Sequence, residues 1–523
     1  MSVPGEPSPA CPLHSDGGCW QARVMMTLPI QDWPHEVAAA RGEQHAGDFV
    51  RVVDRLAAAV SDPAAPDEAL RLLATALRAQ GKARAAAEVR KALVARQPNS
   101  AVAEHNLASV LGDCDESVQS EQAARRAIAK GGQAPETWLV LGRALMGQGR
   151  LEEAGAAFRQ ATRLRPGFLP AFRDLAQLSW MRDADLACLE ATLAPLTTLA
   201  RTEEAAALLL SSILRNTAGD HAALASLEPW IEASSLNVSL AAAAAASGVN
   251  TELALTYAQR AAALGGDDPR ARLALASALL TRERAEEAMP LLEALLRLDP
   301  ANQHVRALMT TAWRITGDAR ALSSADYERL VRIYRLAEGD PDRAAWLKRT
   351  AAALRDLHPF KGHPLQQSVR NGAQSRIDPR SAGDPDIDRL FEELAAPISA
   401  YIEEVRPDWF GAAWPEGWRI GGAWSVKLGA GGRHTDHVHP RGWVSSAVYI
   451  ETPPAVDRQG REGWLRFGAA RIGGAFTLPA QHWVRPEVGS LVLFPSWLWH
   501  GTEPFSGLGE RLTVAFDVVP GQD

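Results

Sequence analysis

Leu73, Leu107 and Leu141 are spaced 34 residues apart and open three similar runs, LATAL, LASVL and LGRAL. Gly81 and Gly149 are 68 residues apart, as are Pro98 and Pro166, which is twice that period. A unit this short cannot bury its apolar face alone, so copies must stack on their neighbours. This repeat constrains the region from about Val50 to Leu322 more than any other feature does.

The clearest unit runs from Ala134 to Gly167, APETWLVLGRALMGQGRLEEAGAAFRQATRLRPG. Trp138, Leu141, Gly142 and Leu145 mark one helix face, GQGR makes the turn, Ala154, Phe158 and Ala161 mark a second helix, and Pro166 ends it. The unit resembles the tetratricopeptide repeat in its period, its small residues at the helix crossing and its closing proline. A later copy places Ala288 and Pro300 each 134 residues beyond Ala154 and Pro166, two short of four periods, which predicts one degenerate middle repeat. The resemblance implies an all-α solenoid whose concave face receives a protein or peptide; packing and dimerisation are the plainer alternative. The run AAAAAASG, Ala241 to Gly248, reads as close helix packing.

Composition then divides the chain. The first two thirds is rich in Ala, Leu, Arg and Glu, whereas the last third gathers most of the tryptophans with Gly, Pro and β-branched residues. The reading is a disordered tail over 1–45, a helical solenoid over 46–344 and a β-domain over 345–523. A net charge of -7 with scattered Lys and Arg argues against nucleic acid as a partner. No apolar run approaches the roughly 20 residues of a membrane span, and the start lacks the order of a secretory signal. Four cysteines, Cys11, Cys19, Cys114 and Cys188, fit a reducing compartment, so a cytoplasmic location is expected. Cys11, His14 and Cys19 fit no common zinc spacing.

Tyr327 to Leu357 reads as helix-like, and Asp386 to Val405 as an amphipathic helix carrying Ile387, Leu390, Phe391, Leu394, Ile398 and Ile402 on one side. From Trp418 the pattern changes to short strands, WSVKL, WVSSAVYI, GWLRFG, SLVLFP and RLTVAFDVV, separated by Gly and Pro. This predicts an antiparallel sandwich or jelly roll that gathers side chains at an open mouth.

At that mouth the segment HTDHVH, His434 to His439, offers two metal-ligating pairs, because residues two apart on a strand share a face. One pair is His434 with Asp436; the other is His437 with His439. His500, in FPSWLWHGTEPF, supplies a third ligand to either. Arg511 can grip a carboxylate, with Thr513 on the same strand face and Tyr449 as a phenolic partner. His358, His363 and His482 read as surface or turn residues, and Trp443, Trp497 and Trp499 as packing.

The order H-x-H, GWVSSAVYI, VGSLVLFPSWLWHGTEPF and ERLTVAFD is similar to the iron(II)/2-oxoglutarate-dependent oxygenases, in particular a bacterial and phage subgroup sometimes fused to tetratricopeptide repeats. The resemblance covers about Asp356 to Val519. It implies an all-β double-stranded β-helix with flanking helices, iron(II) at its mouth, 2-oxoglutarate as co-substrate and O2 as oxidant. The subgroup's motif falls on His437, His439, Ser445, Ser446 and Tyr449, with His500 as distal ligand and Arg511 as carboxylate anchor. The general H-x-D motif falls on His434 and Asp436. The subgroup spacing favours the H-x-H pair, which leaves the metal without its usual carboxylate and gives Asp436 a supporting place. Arg370 and Gln374 are candidate pocket residues. Ser445, Thr513 and Tyr449 are expected beside the co-substrate, and no separate catalytic side chain is assigned. The activity implied is hydroxylation of a protein or peptide side chain. Two alternatives remain: an interaction scaffold with a non-catalytic β-domain, and a cupin-like three-histidine oxygenase that does not use 2-oxoglutarate.

Overall fold

The computed structural model describes residues 32–232, 235–405, 417–473 and 476–521. They form two compact units that divide between Ala171 and Phe172. The first is wholly helical. Its helix pairs Asp67–Ala79 with Ala83–Arg96, Ala101–Asp113 with Ser117–Ala129, and Pro135–Gly147 with Leu151–Leu164 keep the 34-residue step expected from the sequence. Gly142 shows why the crossing needs a small residue: a Cβ there would lie 2.4 Å from the Phe158 ring. Gly149 makes the turn at φ +76, a backbone region that side chains disfavour.

Part of the stretch expected to be a disordered tail is instead ordered. Trp33–His45 is a helix whose first turn is capped by the Asp32 side chain, and the buried Trp33 donates its indole N–H to Asp62 at 2.8 Å. Cys11, His14 and Cys19 lie outside the described residues.

The second unit joins the later repeats to the β-domain, so the division expected near 345 is not where compactness changes. In its middle repeat, two short helices, Asp220–Ala225 and Glu228–Ile231, stand where a single second helix would be, which accounts for the irregular spacing. The alanine run sits in helix Leu236–Ala246 with Ala242, Ala243, Ala245 and Ala246 buried. Tyr327 to Leu357 is not one helix. It contains a short helix Tyr327–Leu330, strand β1 (Arg332–Arg335) and helix Arg343–Asp356, because RIYR alternates its burial and pairs with a sheet strand distant in sequence.

The remaining strands are β2 (Val369–Gln374), β3 (Trp418–His434), β4 (Val444–Glu451), β5 (Leu465–Phe467), β6 (His482–Val484), β7 (Ser490–Pro495), β8 (His500–Thr502) and β9 (Arg511–Pro520). They build an antiparallel sheet of order β1-β7-β4-β9-β3-β2 and a smaller one of order β6-β5-β8. The two sheets meet through Phe467 of β5, whose ring lies edge-on to Phe494 of β7 at 4.9 Å. Helix Pro385–Val405 buries Ile387, Leu390, Leu394, Ile398 and Ile402, with Phe391 half-buried, as its periodicity predicts.

Helices and sheets of this unit are joined by specific contacts. Trp497 and Trp499 are buried, and their indole N–H groups donate to Ser324 O and Thr311 Oγ1, both at 3.1 Å. Each buried indole is worth roughly 5 kcal/mol of gross apolar burial, for about 200 Å² at about 25 cal/mol per Å². The segment before β2 docks in the same way. Lys361 and Gly362 donate their backbone N–H groups to Met181 O, and Gln366 bonds to Asn216 and Ser212. Among the described residues no helix is long and apolar enough to cross a membrane.

Candidate metal centre

His437, His439 and His500 converge: one ring nitrogen from each lies within 4.8 Å of the others. Backbone pairing brings the distant residues together. His437 and His500 form an antiparallel bridge, exchanging N–H···O bonds of 2.9 and 3.0 Å, and His439 donates its N–H to Ser496 O at 3.1 Å. His437 and His439 are two apart and turn to the same side, with ring centroids 5.1 Å apart. Trp424 stacks on His439 at 5.7 Å.

The second nitrogen of each ring settles the tautomer. His437 Nδ1 lies 2.8 Å from Thr435 O and His500 Nδ1 lies 2.9 Å from Leu498 O. A carbonyl only accepts, so both Nδ1 atoms carry hydrogen and both Nε2 atoms present lone pairs. His439 Nδ1 faces the Asp517 carboxylate at 2.6 and 2.8 Å, which fixes it in the same sense. The Nε2 atoms of His437 and His439 then approach to 3.2 Å, two lone-pair donors facing each other, an arrangement that a cation between them relieves. Burial pushes the His437 imidazole down to about 3, and burial holds His500 and His434 well below the ordinary histidine range. Neutral imidazoles are what a metal requires.

The alternative pair is placed differently. Asp436, adjacent to His437, points the other way and forms a two-pronged ion pair with Arg466 of β5, at 2.8 and 2.6 Å. It packs so closely on Gly501 that a Cβ there would lie 2.6 Å from its Oδ1. His434 lines the same cavity as the three histidines, with Nδ1 2.9 Å from Ser368 Oγ.

Arg511 enters the cavity from β9 and is 2 % exposed. It donates to Thr502 Oγ1 at 2.6 Å and to the Tyr449 hydroxyl at 3.3 Å, and it lies over the Tyr449 ring at 5.1 Å. Its Nε has no hydrogen-bond partner, and among the described residues no carboxylate pairs with it. A buried guanidinium in this state fits an anionic ligand. Thr513, two residues on, lines the same cavity. Ser445, read from the sequence as a co-substrate contact, sits elsewhere: its hydroxyl donates to Asp517 at 2.9 Å and bonds Ser496 at 2.8 Å, so it braces the carboxylate behind His439. The family spacing locates Ser445 on the strand but not the partner its side chain meets.

Asp517 is the participant that the sequence reading passed over. Strand alternation could have found it, since Arg511, Thr513, Ala515 and Asp517 occupy one face of β9 and all line the cavity. Arg370 and Gln374 line it as well. His358 is not a surface residue; it is buried, with Nε2 2.9 Å from Ser425 Oγ. The cavity measures about 1120 Å³, and helices of the repeat region form one wall through Leu208, Ser211, Ala241 and Ala244.

Residues 422–517 match the family model described as "Putative 2OG-Fe(II) oxygenase", and residues 245–311 and 135–168 match tetratricopeptide-repeat models. No curated protein matches the chain. Among solved structures, yeast Tom70 is similar over 61% of this chain and 68% of its own, at 15% identity and a TM-score of 0.41. A tetratricopeptide repeat protein from Parabacteroides merdae is similar over 47% of this chain and 98% of its own, at 17% identity and a TM-score of 0.33. A Pseudomonas putida prolyl-4-hydroxylase is similar over 38% of this chain and 96% of its own, at 18% identity and a TM-score of 0.26. The chain thus carries an oxygenase-family domain behind tetratricopeptide repeats.

Proposed function

We propose that this protein is an iron(II)/2-oxoglutarate-dependent dioxygenase that hydroxylates a protein or peptide side chain presented between the repeats and the β-domain. The observation that carries the reading is the pairing, in one cavity, of three preset histidine nitrogens with a buried Arg511 that has no carboxylate. Iron(II), 2-oxoglutarate and O2 together supply conversion of an aliphatic C–H to C–OH, with the co-substrate leaving as succinate and CO2.

The chain's own residues do the rest. His437, His439 and His500 would hold the metal through Nε2, and Asp517 orients His439 and places a negative charge behind it. That charge offsets in part the lack of a carboxylate ligand. Arg511, with Tyr449 and Thr513 beside it, would take the distal carboxylate of 2-oxoglutarate. A three-histidine oxygenase without 2-oxoglutarate leaves the buried Arg511 without a task, so Arg511 weighs against it.

The test is the visible charge-transfer band formed under anaerobic conditions by iron(II) and 2-oxoglutarate. The band is expected in the wild type and in Asp436→Ala and is lost in His439→Ala. Arg511→Gln should raise the 2-oxoglutarate concentration needed by at least about 30-fold, the lower end for truncating a buried charge pair. No band in the wild type, or its loss on Asp436→Ala with the fold intact, overturns this assignment.

A further inference from the structure

We infer that the substrate of this cavity is an acidic peptide segment, drawn in by a set of arginines that the protein leaves without carboxylate partners. The inference rests on the oxygenase reading for what happens to the peptide, but its recognition stands on separate residues.

Six arginines and three aspartates line the cavity. All three aspartates are engaged within the protein: Asp220 with Arg215, Asp436 with Arg466, and Asp517 with His439. Arg511 sits deep beside Tyr449. Four cations remain, Arg370, Arg433, Arg441 and Arg471, and among the described residues no carboxylate pairs with any of them.

Their placement is costly. Arg370 and Arg433 are directly opposed in the β2–β3 ladder, a like-charge cross-strand pair that destabilises a sheet. The Arg370 guanidinium donates to Gln367 O and Val369 O, which leaves its charge uncompensated. Burial lowers its proton affinity first, and the nearby charges of Arg471 and Arg433 lower it further, so the three cations share one field. An anion seated among them relieves this repulsion.

Size and shape select the class of anion. At about 1120 Å³ the cavity has room for a segment of peptide beside the 2-oxoglutarate assigned to Arg511. One wall comes from small helical side chains, Ser211, Ser212, Ala241 and Ala244, which leave room for a main chain to pass. The cations are spread over β2, β3, the turn after His439 and the segment after β5, so they match charges distributed along a strand of peptide rather than one headgroup.

The experiment is fluorescence anisotropy with the full metal-free chain and a short fluorescein-labelled peptide of alternating glutamate and alanine. The same peptide with lysine in place of glutamate and an oligo-dT of equal length serve as comparators. Binding of the glutamate peptide alone, weakened by added salt and by at least about tenfold in Arg441→Glu and in Arg471→Glu, is the expected result. Both residues are exposed, so the fold tolerates the change, and a thermal melt verifies it. Equal binding of the lysine peptide, tighter binding of oligo-dT, or unchanged affinity in both variants overturns the inference. A binding glutamate peptide without the anaerobic band sinks the oxygenase reading and leaves this one standing; a band without peptide binding does the reverse.

Discussion

Asp517→Asn isolates the electrostatic part of the proposed metal centre, because it exchanges a carboxylate for an amide of the same shape. The carboxylate receives His439 Nδ1–H at 2.6 and 2.8 Å and the Ser445 hydroxyl at 2.9 Å. The amide oxygen can still accept from His439, so the loss is the difference between a charge-assisted and a neutral hydrogen bond, about 1.5 kcal/mol. That corresponds to metal binding weakened by about tenfold, at the lower edge of the effect usual for carboxylates behind a ligating histidine. Anaerobic titration with iron(II), or with cobalt(II) followed by its visible spectrum, measures it directly. Urea melts of the metal-free chain show whether the fold has changed. Affinity within twofold of wild type, with the fold intact, would refute the claim that Asp517 tunes His439. A loss as complete as that of His439→Ala would instead make Asp517 a ligand in its own right.

Asp436→Ala leaves Arg466, among the described residues, with the carboxylate of Glu503 at 3.0 Å, and opens a buried ion pair; it is expected to destabilise the second unit by about 3 kcal/mol, at the low end for such pairs, while metal binding persists. Urea denaturation with a parallel metal titration separates the two effects, and loss of metal at unchanged stability contradicts the assignment. His358 is held down to about 4 by burial, so the folded chain binds fewer protons than the unfolded one between that value and about 6.5. Its contribution is complete above about 6.5 and is lost as pH falls towards 4, by at most about 3 kcal/mol. Denaturation of wild type and His358→Gln across that window should converge on acidification; parallel curves would refute the burial argument.

What the sequence makes legible is what local periodicity records. The 34-residue step, the small residue at Gly142, the turn glycine at Gly149 and the apolar stripe from Ile387 to Ile402 each describe contacts within one hairpin or one helix, and each recurs in the structure. The strands that escaped notice depend on partners distant in the chain. β1 pairs with β7 across more than 150 residues, and β2 carries a register shift between Arg370 and Gly372 where Asn371 takes φ +52, so VRNGAQ reads locally as a turn. The histidine cluster is a mixed case. Spacing brings His437 and His439 to one face, but only the bridge to His500 and the Arg466 partner of Asp436 show which side chains converge, and neither is written near HTDHVH. Asp517 marks the boundary between the two kinds of information: the two-residue period running back to Arg511 places it on the cavity face, while its role depends on meeting a histidine 78 residues earlier in the chain. The repeat helices belong wholly to the second kind. Nothing in Leu208 to Ser247 distinguishes a residue that lines the cavity from one that faces solvent, because the wall exists only where Gln366, Trp497 and Trp499 fasten those helices and their neighbours to the β-domain.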